Sequence, residues 1–172
     1  MPFAHAKNIY EIDLDFFKFL KIKYIFVDLD NTLDSYRALS PNERSANFIE
    51  SIKKMGITPI IISNNRGKRV KGYAEKLSVE CLHSTGKPFS HKIKKLLKER
   101  NINRNDVIMV GDQMITDVCC GNGAKIRVIL TDKLVKEDQF TTHINRFFER
   151  PFRSYCNRHN KFRDWREIYG KS

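Results

Sequence analysis

Four short apolar runs, each followed by small or acidic residues, set the framework of the chain. Tyr24-Ile25-Phe26-Val27 runs into Asp28, and Thr58-Pro59-Ile60-Ile61-Ile62 into Ser63. Val107-Ile108-Met109-Val110 runs into Gly111-Asp112, and Ile126-Arg127-Val128-Ile129-Leu130 comes last. Runs this short, without polar alternation, predict strands covered on both faces, the pattern of a parallel sheet. Pro59 stands early in its run, where a missing N–H is tolerated. A weaker strand is expected over 79–82. Between the runs lie helical stretches. Ser40-Pro41-Asn42-Glu43 predicts an N-cap, a proline at the first helical position and a capping-box acid. That helix is expected to run to Met55 and stop at Gly56. Further helices are expected over 66–76, over 88–99 opening on Pro88, and over 114–120. Strand and helix in alternation predict right-handed crossovers and a three-layer, Rossmann-like α/β domain around a mostly parallel sheet.

The end of the chain breaks this rhythm. Phe140, Phe147, Phe148, Phe152, Tyr155, Phe162, Trp165 and Tyr169 are interleaved with basic residues. The expected division is a core over 1–139, with a leader at 9–22, and an extension over 140–172 packed on that core. The extension is read as a helix over 142–149 followed by an irregular basic-aromatic tail.

Composition removes several classes. A chain of 172 residues with 41% hydrophobic and 30% charged residues can bury a full core and is not disordered. No stretch approaches the ~18 apolar residues of a spanning helix; the apolar leader is broken by Glu11, Asp13, Asp15 and Lys18. The N-terminus lacks a secretory-signal layout. Four cysteines, two of them adjacent, do not make a disulfide scaffold, so reduced thiols in the cytoplasm are expected. The net charge of +12 calls for an anionic partner: nucleic acid, an acidic lipid surface or a phosphorylated small molecule. Residues 87–104 hold seven Lys/Arg against one acid, and residues 146–166 hold seven against two. Either patch suits anionic lipid at the inner face of a membrane, or single-stranded nucleic acid.

Ligands of open parallel sheets bind off the carboxyl ends of the strands. The residues delivered there are Asp28, Asp30 and Thr32, then Ser63, Asn64 and Asn65, then Lys87, then Asp112 with Asp117. Two carboxylates two residues apart at a strand end can take separate tasks, one attacking phosphorus and the other managing protons. Asp112 can share a hard divalent ion such as Mg²⁺ with Asp28. Lys87 offsets the repulsion between an anionic nucleophile and an anionic substrate, and Ser63 can hold phosphoryl oxygens.

These segments resemble the haloacid dehalogenase (HAD) superfamily. Asp28-Leu29-Asp30-Asn31-Thr32 resembles its first motif, Ser63-Asn64-Asn65 its second, Lys87-Pro88 its third, and Gly111 to Asp117 its fourth. The details are closest to the YqeG-type branch of subfamily IIIA phosphatases, whose relatives include phosphatidylglycerophosphate phosphatases. That resemblance rests on Ser63-Asn64-Asn65, Lys87-Pro88, Gly111 to Asn122 and Thr142 to Glu149. It implies a Mg²⁺-dependent phosphomonoesterase. Asp28 would be the nucleophile and form an aspartyl-phosphate, with Asp30 as acid and base. Asp28, Asp112 and the Asp30 carbonyl would hold the metal. Ser63, Asn64 and Lys87 would bind phosphate, with Thr32 and Asp117 in support. The segment Gly121-Asn122-Gly123-Ala124-Lys125 departs from the branch pattern, and a looser turn is expected there.

Specificity in such enzymes often comes from an inserted cap. The window 33–62 has 30 residues and the window 66–86 has 21, and both are already spent on core elements. A capless, open site follows, suited to a phosphate on a lipid or polymer. A lipid phosphate such as phosphatidylglycerophosphate is the expected substrate. The alternatives are a nucleotide or nucleic-acid-end phosphatase, and a non-catalytic phosphate- or RNA-binding module. The intact acid pair disfavours the last.

Overall fold

The computed structural model describes residues 1–134, Ser154, Arg158 and residues 162–170. Its strands are β1 (Ala4–Ala6), β2 (Tyr24–Asp28), β3 (Thr58–Ile62), β4 (Glu80–Leu82), β5 (Val107–Gly111) and β6 (Arg127–Thr131). Its helices are α1 (Leu14–Phe19), α2 (Glu43–Lys54), α3 (Gly67–Lys76), α4 (His91–Glu99), α5 (Cys119–Ala124) and α6 (Trp165–Tyr169). The six strands form one sheet in the order β1-β6-β5-β2-β3-β4, every pair parallel. This is the expected three-layer α/β arrangement, and no cap domain interrupts the described residues.

Successive strand residues serve opposite layers, as the two-residue period of a strand requires. Ile25, Val27, Ile61, Ile108, Val110 and Ile129 join Phe16, Phe17, Ile49, Ile52, Val70 and Tyr73 on one side. Phe26, Ile60, Ile62, Met109, Val128 and Leu130 join Ile93, Leu96, Leu97 and Val118 on the other. Both faces are dry, which is why the runs lack polar alternation.

Several boundaries differ from expectation. The α2 cap is Asn42, not Ser40: its side chain accepts from Ser45 N at 2.9 Å, and Glu43 opens the helix. Helix α4 begins at His91 rather than Pro88. The Lys87–Pro88 bond is cis, and Phe89 N closes a turn on Gly86 O at 3.0 Å. The stretch expected as a helix over 114–120 is a π-helical turn, Met114–Val118, continued by α5. Strand β1 was not expected, since Ala-His-Ala carries little strand signal. It exists because β6 offers an edge, where Phe3 N bonds to Val128 O, and because the segment before α6 adds a second partner, His5 N bonding to Arg163 O, both at 2.8 Å.

The tail is not wholly irregular either. Asp164 caps α6 by accepting from Arg166 N at 2.8 Å. Trp165 is buried against Phe16, with ring centroids 5.4 Å apart, and Tyr169 sits over Phe16 and Phe19. The expected helix over 142–149 and the division at 139/140 lie outside the described residues. Among the described residues no helix is long and apolar enough to cross a membrane.

Candidate active site

The first carboxylate pair sits where β2 stops. After Asp28 the backbone folds into a tight turn, with Asn31 in the left-handed region at φ 62°, which asparagine tolerates better than most residues. Leu33 N bonds back to Asp28 O at 3.2 Å, and Asn31 N to Asp34 O at 2.7 Å. The turn sends the two side chains apart. Asp28 points into the interior and Asp30 toward the β3 side.

Asp28 lies beside Lys87, whose ammonium donates to it at 2.5 Å and to Asp117 at 2.6 Å. All three are buried. Burial pushes the Asp28 carboxyl well above the usual carboxylate range. Lys87 opposes this, and Asp117, Asp112 and Asp30 add to it. Burial alone would lower the Lys87 ammonium, but Asp117 and Asp28 more than reverse that and hold it well above its ordinary value. Lys87 therefore stays charged.

Carboxylate oxygens of Asp28, Asp112 and Asp117 lie within 4.8 Å of one another. Three buried carboxylates around one ammonium leave an excess of negative charge, and every ligand atom is oxygen. That donor set fits a hard divalent cation. Asp117 has both oxygens engaged, one on Lys87 and the other accepting from Gln113 N at 3.1 Å. Asp28 and Asp112 are thus the residues best placed to hold an ion.

The π-helical turn explains how Asp117 reaches this position. It widens the first turn after β5 and folds Asp117 back over the strand end, as such turns often do at functional sites. Gly111 is the counterpart: a Cβ there would sit 2.4 Å from Asp117 Cγ. Only glycine admits so close an approach.

The remaining expected residues fall nearby with different partners. Ser63 is buried and its hydroxyl donates to Asp30 Oδ2 at 3.3 Å. The Asn64 amide is committed to the 85–87 loop: its oxygen accepts from Lys87 N and Thr85 Oγ1, both at 2.8 Å, and its nitrogen donates to Lys87 O at 3.0 Å. Its side chain therefore sets where Lys87 stands. Thr32 is buried, and its hydroxyl has no hydrogen-bond partner among the described residues.

Two residues given no role from the sequence meet Asp30. Asn65 Nδ2 donates to Oδ2 at 2.7 Å, and the Arg69 guanidinium pairs with Oδ1. Arg69 was legible only as one basic residue of a basic helix. Its spacing, four residues after Asn65 at the start of the helix expected over 66–76, was the available signal. Asp34 was also missed. It accepts from Tyr73 Oη at 2.9 Å and Asn42 Nδ2 at 3.0 Å, tying the loop after β2 to α2 and α3.

The family profile of haloacid dehalogenase-like hydrolases matches residues 9–131. A Bacillus subtilis protein named "Probable phosphatase YqeG" is 32% identical over 158 residues, spanning 92% of each chain. Among solved structures, the cobalt-bound deoxy-D-mannose-octulosonate 8-phosphate phosphatase of Haemophilus influenzae superposes with a TM-score of 0.50. It is 16% identical and covers 67% of this chain and 81% of its own. A hydrolase from Streptococcus pneumoniae gives 0.51 at 18% identity, covering 66% and 95%. At those identities the two structures speak for the fold. The family match and the full-length Bacillus relative carry further: this chain belongs to the haloacid dehalogenase-like hydrolases, as a phosphatase of the YqeG kind.

Proposed function

We infer that the chain is a Mg²⁺-dependent phosphomonoesterase working through Asp28, with a lipid phosphate as substrate. The observation that carries the reaction is the divergence of the two carboxylates. Asp28 sits among Lys87, Asp112 and Asp117, where an anionic nucleophile can meet an anionic phosphoryl group. Asp30 sits apart, on neutral and cationic donors. A divalent ion on Asp28 and Asp112, joined by the Asp30 carbonyl, would screen the phosphoryl charge. Asp28 attacks phosphorus and forms an aspartyl-phosphate. Asp30 gives a proton to the departing alcohol and takes one from the hydrolytic water. Lys87 stabilises the transferring group, Asp117 holds Lys87, and Ser63 binds a phosphoryl oxygen. Asn64 serves through its grip on the 85–87 loop, and Thr32 orients the turn after β2. Asp28→Asn should keep the fold and lose turnover by about 10⁴-fold or more, and rapid quenching should find no phosphoenzyme. Full activity in that variant would end the proposal.

The lipid reading is supported by the rim of the site. Among the described residues four large hydrophobic side chains are exposed, and two of them stand on loops at the catalytic edge: Leu39 at 73% and Phe89 at 71%. The segments 35–41, 64–68 and 83–92 contribute Arg37, Arg66, Lys68 and Lys92 and contain no acid. Apolar tips within a positive rim suit an anionic bilayer, with the protein peripheral at the cytoplasmic face. A panel of lipid phosphate in anionic vesicles, nucleotides and sugar phosphates tests this. Preference for the lipid by about 100-fold in kcat/KM is expected. Preference for a free sugar phosphate or a nucleotide would overturn the lipid assignment and leave the chemistry standing.

A further inference from the structure

Arg69 holds the carboxylate that the mechanism needs to move protons. One guanidinium nitrogen pairs with Asp30 Oδ1, and the other donates to the Ala38 carbonyl at 3.0 Å. The second Asp30 oxygen is met by Asn65 at 2.7 Å and Ser63 at 3.3 Å. Arg69 and Asp30 are 19% and 16% exposed, so the pair is largely shielded from water. A planar fork anchored at two points fixes direction as well as distance, which an ammonium cannot do. Arg69 also joins three segments: α3, the turn after β2, and the loop carrying Ala38.

We propose that Arg69 is a positioning residue that aims the Asp30 carboxyl at the leaving-group oxygen. The proposal rests on the reading of Asp30 as acid and base. When an Asp28 oxygen bonds to phosphorus, the bond from phosphorus to the ester oxygen breaks. Its electron pair stays on that oxygen, which takes the proton carried by Asp30. Water then bonds to phosphorus and gives a proton to Asp30, while the bond from phosphorus to Asp28 breaks and restores the carboxylate. The first proton matters in proportion to the basicity of the leaving oxygen. A dinitrophenolate departs unaided, whereas an alkoxide does not.

The test compares kcat/KM for 2,4-dinitrophenyl phosphate and glycerol phosphate, a ratio that reports the steps through formation of the phosphoenzyme. Arg69→Ala is expected to lose about 100-fold on glycerol phosphate and under about 5-fold on the dinitrophenyl ester. Arg69→Lys should recover part of the difference, and both variants should melt cooperatively. Should Arg69→Ala fail to fold, Arg69→Lys and Arg69→Gln carry the same comparison. Equal losses on the two substrates, or a loss confined to KM on both, would overturn the proposal, because that is how a structural or phosphate-binding arginine behaves. Asp30→Asn separates the role of Asp30 from that of Arg69. If it shows no leaving-group bias, the reading of Asp30 itself fails. If it shows the bias and Arg69→Ala does not, only the role of Arg69 fails.

Discussion

Asp28 and Asp30 are two residues apart in sequence and live in different surroundings. Asp28 is enclosed by the β5 side of the site, among two further carboxylates and the buried ammonium of Lys87. Asp30 belongs to the β3 side and is held by Ser63, Asn65 and Arg69, near the solvent boundary. The inner set is short of positive charge; the outer set is supplied with donors. One tight turn thus divides the surroundings of the proposed nucleophile from those of the proposed proton carrier. The sheet order sets β2 between β5, which supplies Asp112 and Asp117, and β3, which supplies Ser63 and Asn65, with Lys87 reaching across from the loop after β4.

The largest test removes the single cation of the inner set. Lys87→Met leaves buried carboxylates without compensation, which costs about 3–5 kcal/mol of stability and removes turnover. Chemical denaturation and an aryl phosphate assay measure both. A variant as stable as the parent would mean the inner carboxylates are neutral without Lys87, and the contrast between the sets would collapse.

The next test uses the metal. Mg²⁺ at about 100 times its Kd should stabilise the parent protein by about 2.7 kcal/mol, seen as a rise in Tm of several degrees. Asp112→Asn should abolish that rise, while Asn65→Ala should keep it. Loss of the rise in both variants would show that the sets act as one. Asn65→Ala sharpens the contrast further. It removes one donor from Asp30 and should lower kcat about 10-fold with little change in stability or in metal binding.

How far the sequence reached follows the same division. The four apolar runs specify their strands because burial on both faces leaves few polar positions. Asp28, Ser63 and Asp112 stand where three of those strands end, while Lys87 lies in the loop after the weaker strand β4. Residues whose roles come from tertiary contact were not legible. Arg69 reads as one of several basic residues on α3 until the turn after β2 brings Asp30 to it. Asn64 reads as a phosphate ligand, because nothing in its neighbourhood in sequence reveals that Lys87 takes both ends of its amide. Strand β1 depends on an edge supplied by β6, some 120 residues later. Trp165 could be recognised as core or interface material, but the helix it opens depends on packing against Phe16.

The smallest test lies away from both carboxylates and serves as their control. The turn between α5 and β6 was expected to be loose. It is closed by Lys125 N on Asn122 O and Ile126 N on Gly121 O, both at 3.0 Å, with Lys125 in the left-handed region at φ 60°. A residue bearing a Cβ is strained there, and glycine is the usual occupant of such a helix end. Lys125→Gly relieves that strain and also frees the unfolded chain, so the two effects partly cancel. A net gain of about 0.5 kcal/mol is expected, with kcat and the response to Mg²⁺ unchanged. Close packing sets the position of this turn: a Cβ at Gly121 would lie 2.2 Å from Val128 Cγ2, so α5 already rests directly on β6. If Lys125→Gly altered catalysis, the turn would be coupled through α5 to the π-helical turn that carries Asp117. The inner set would then extend to the far end of that helix.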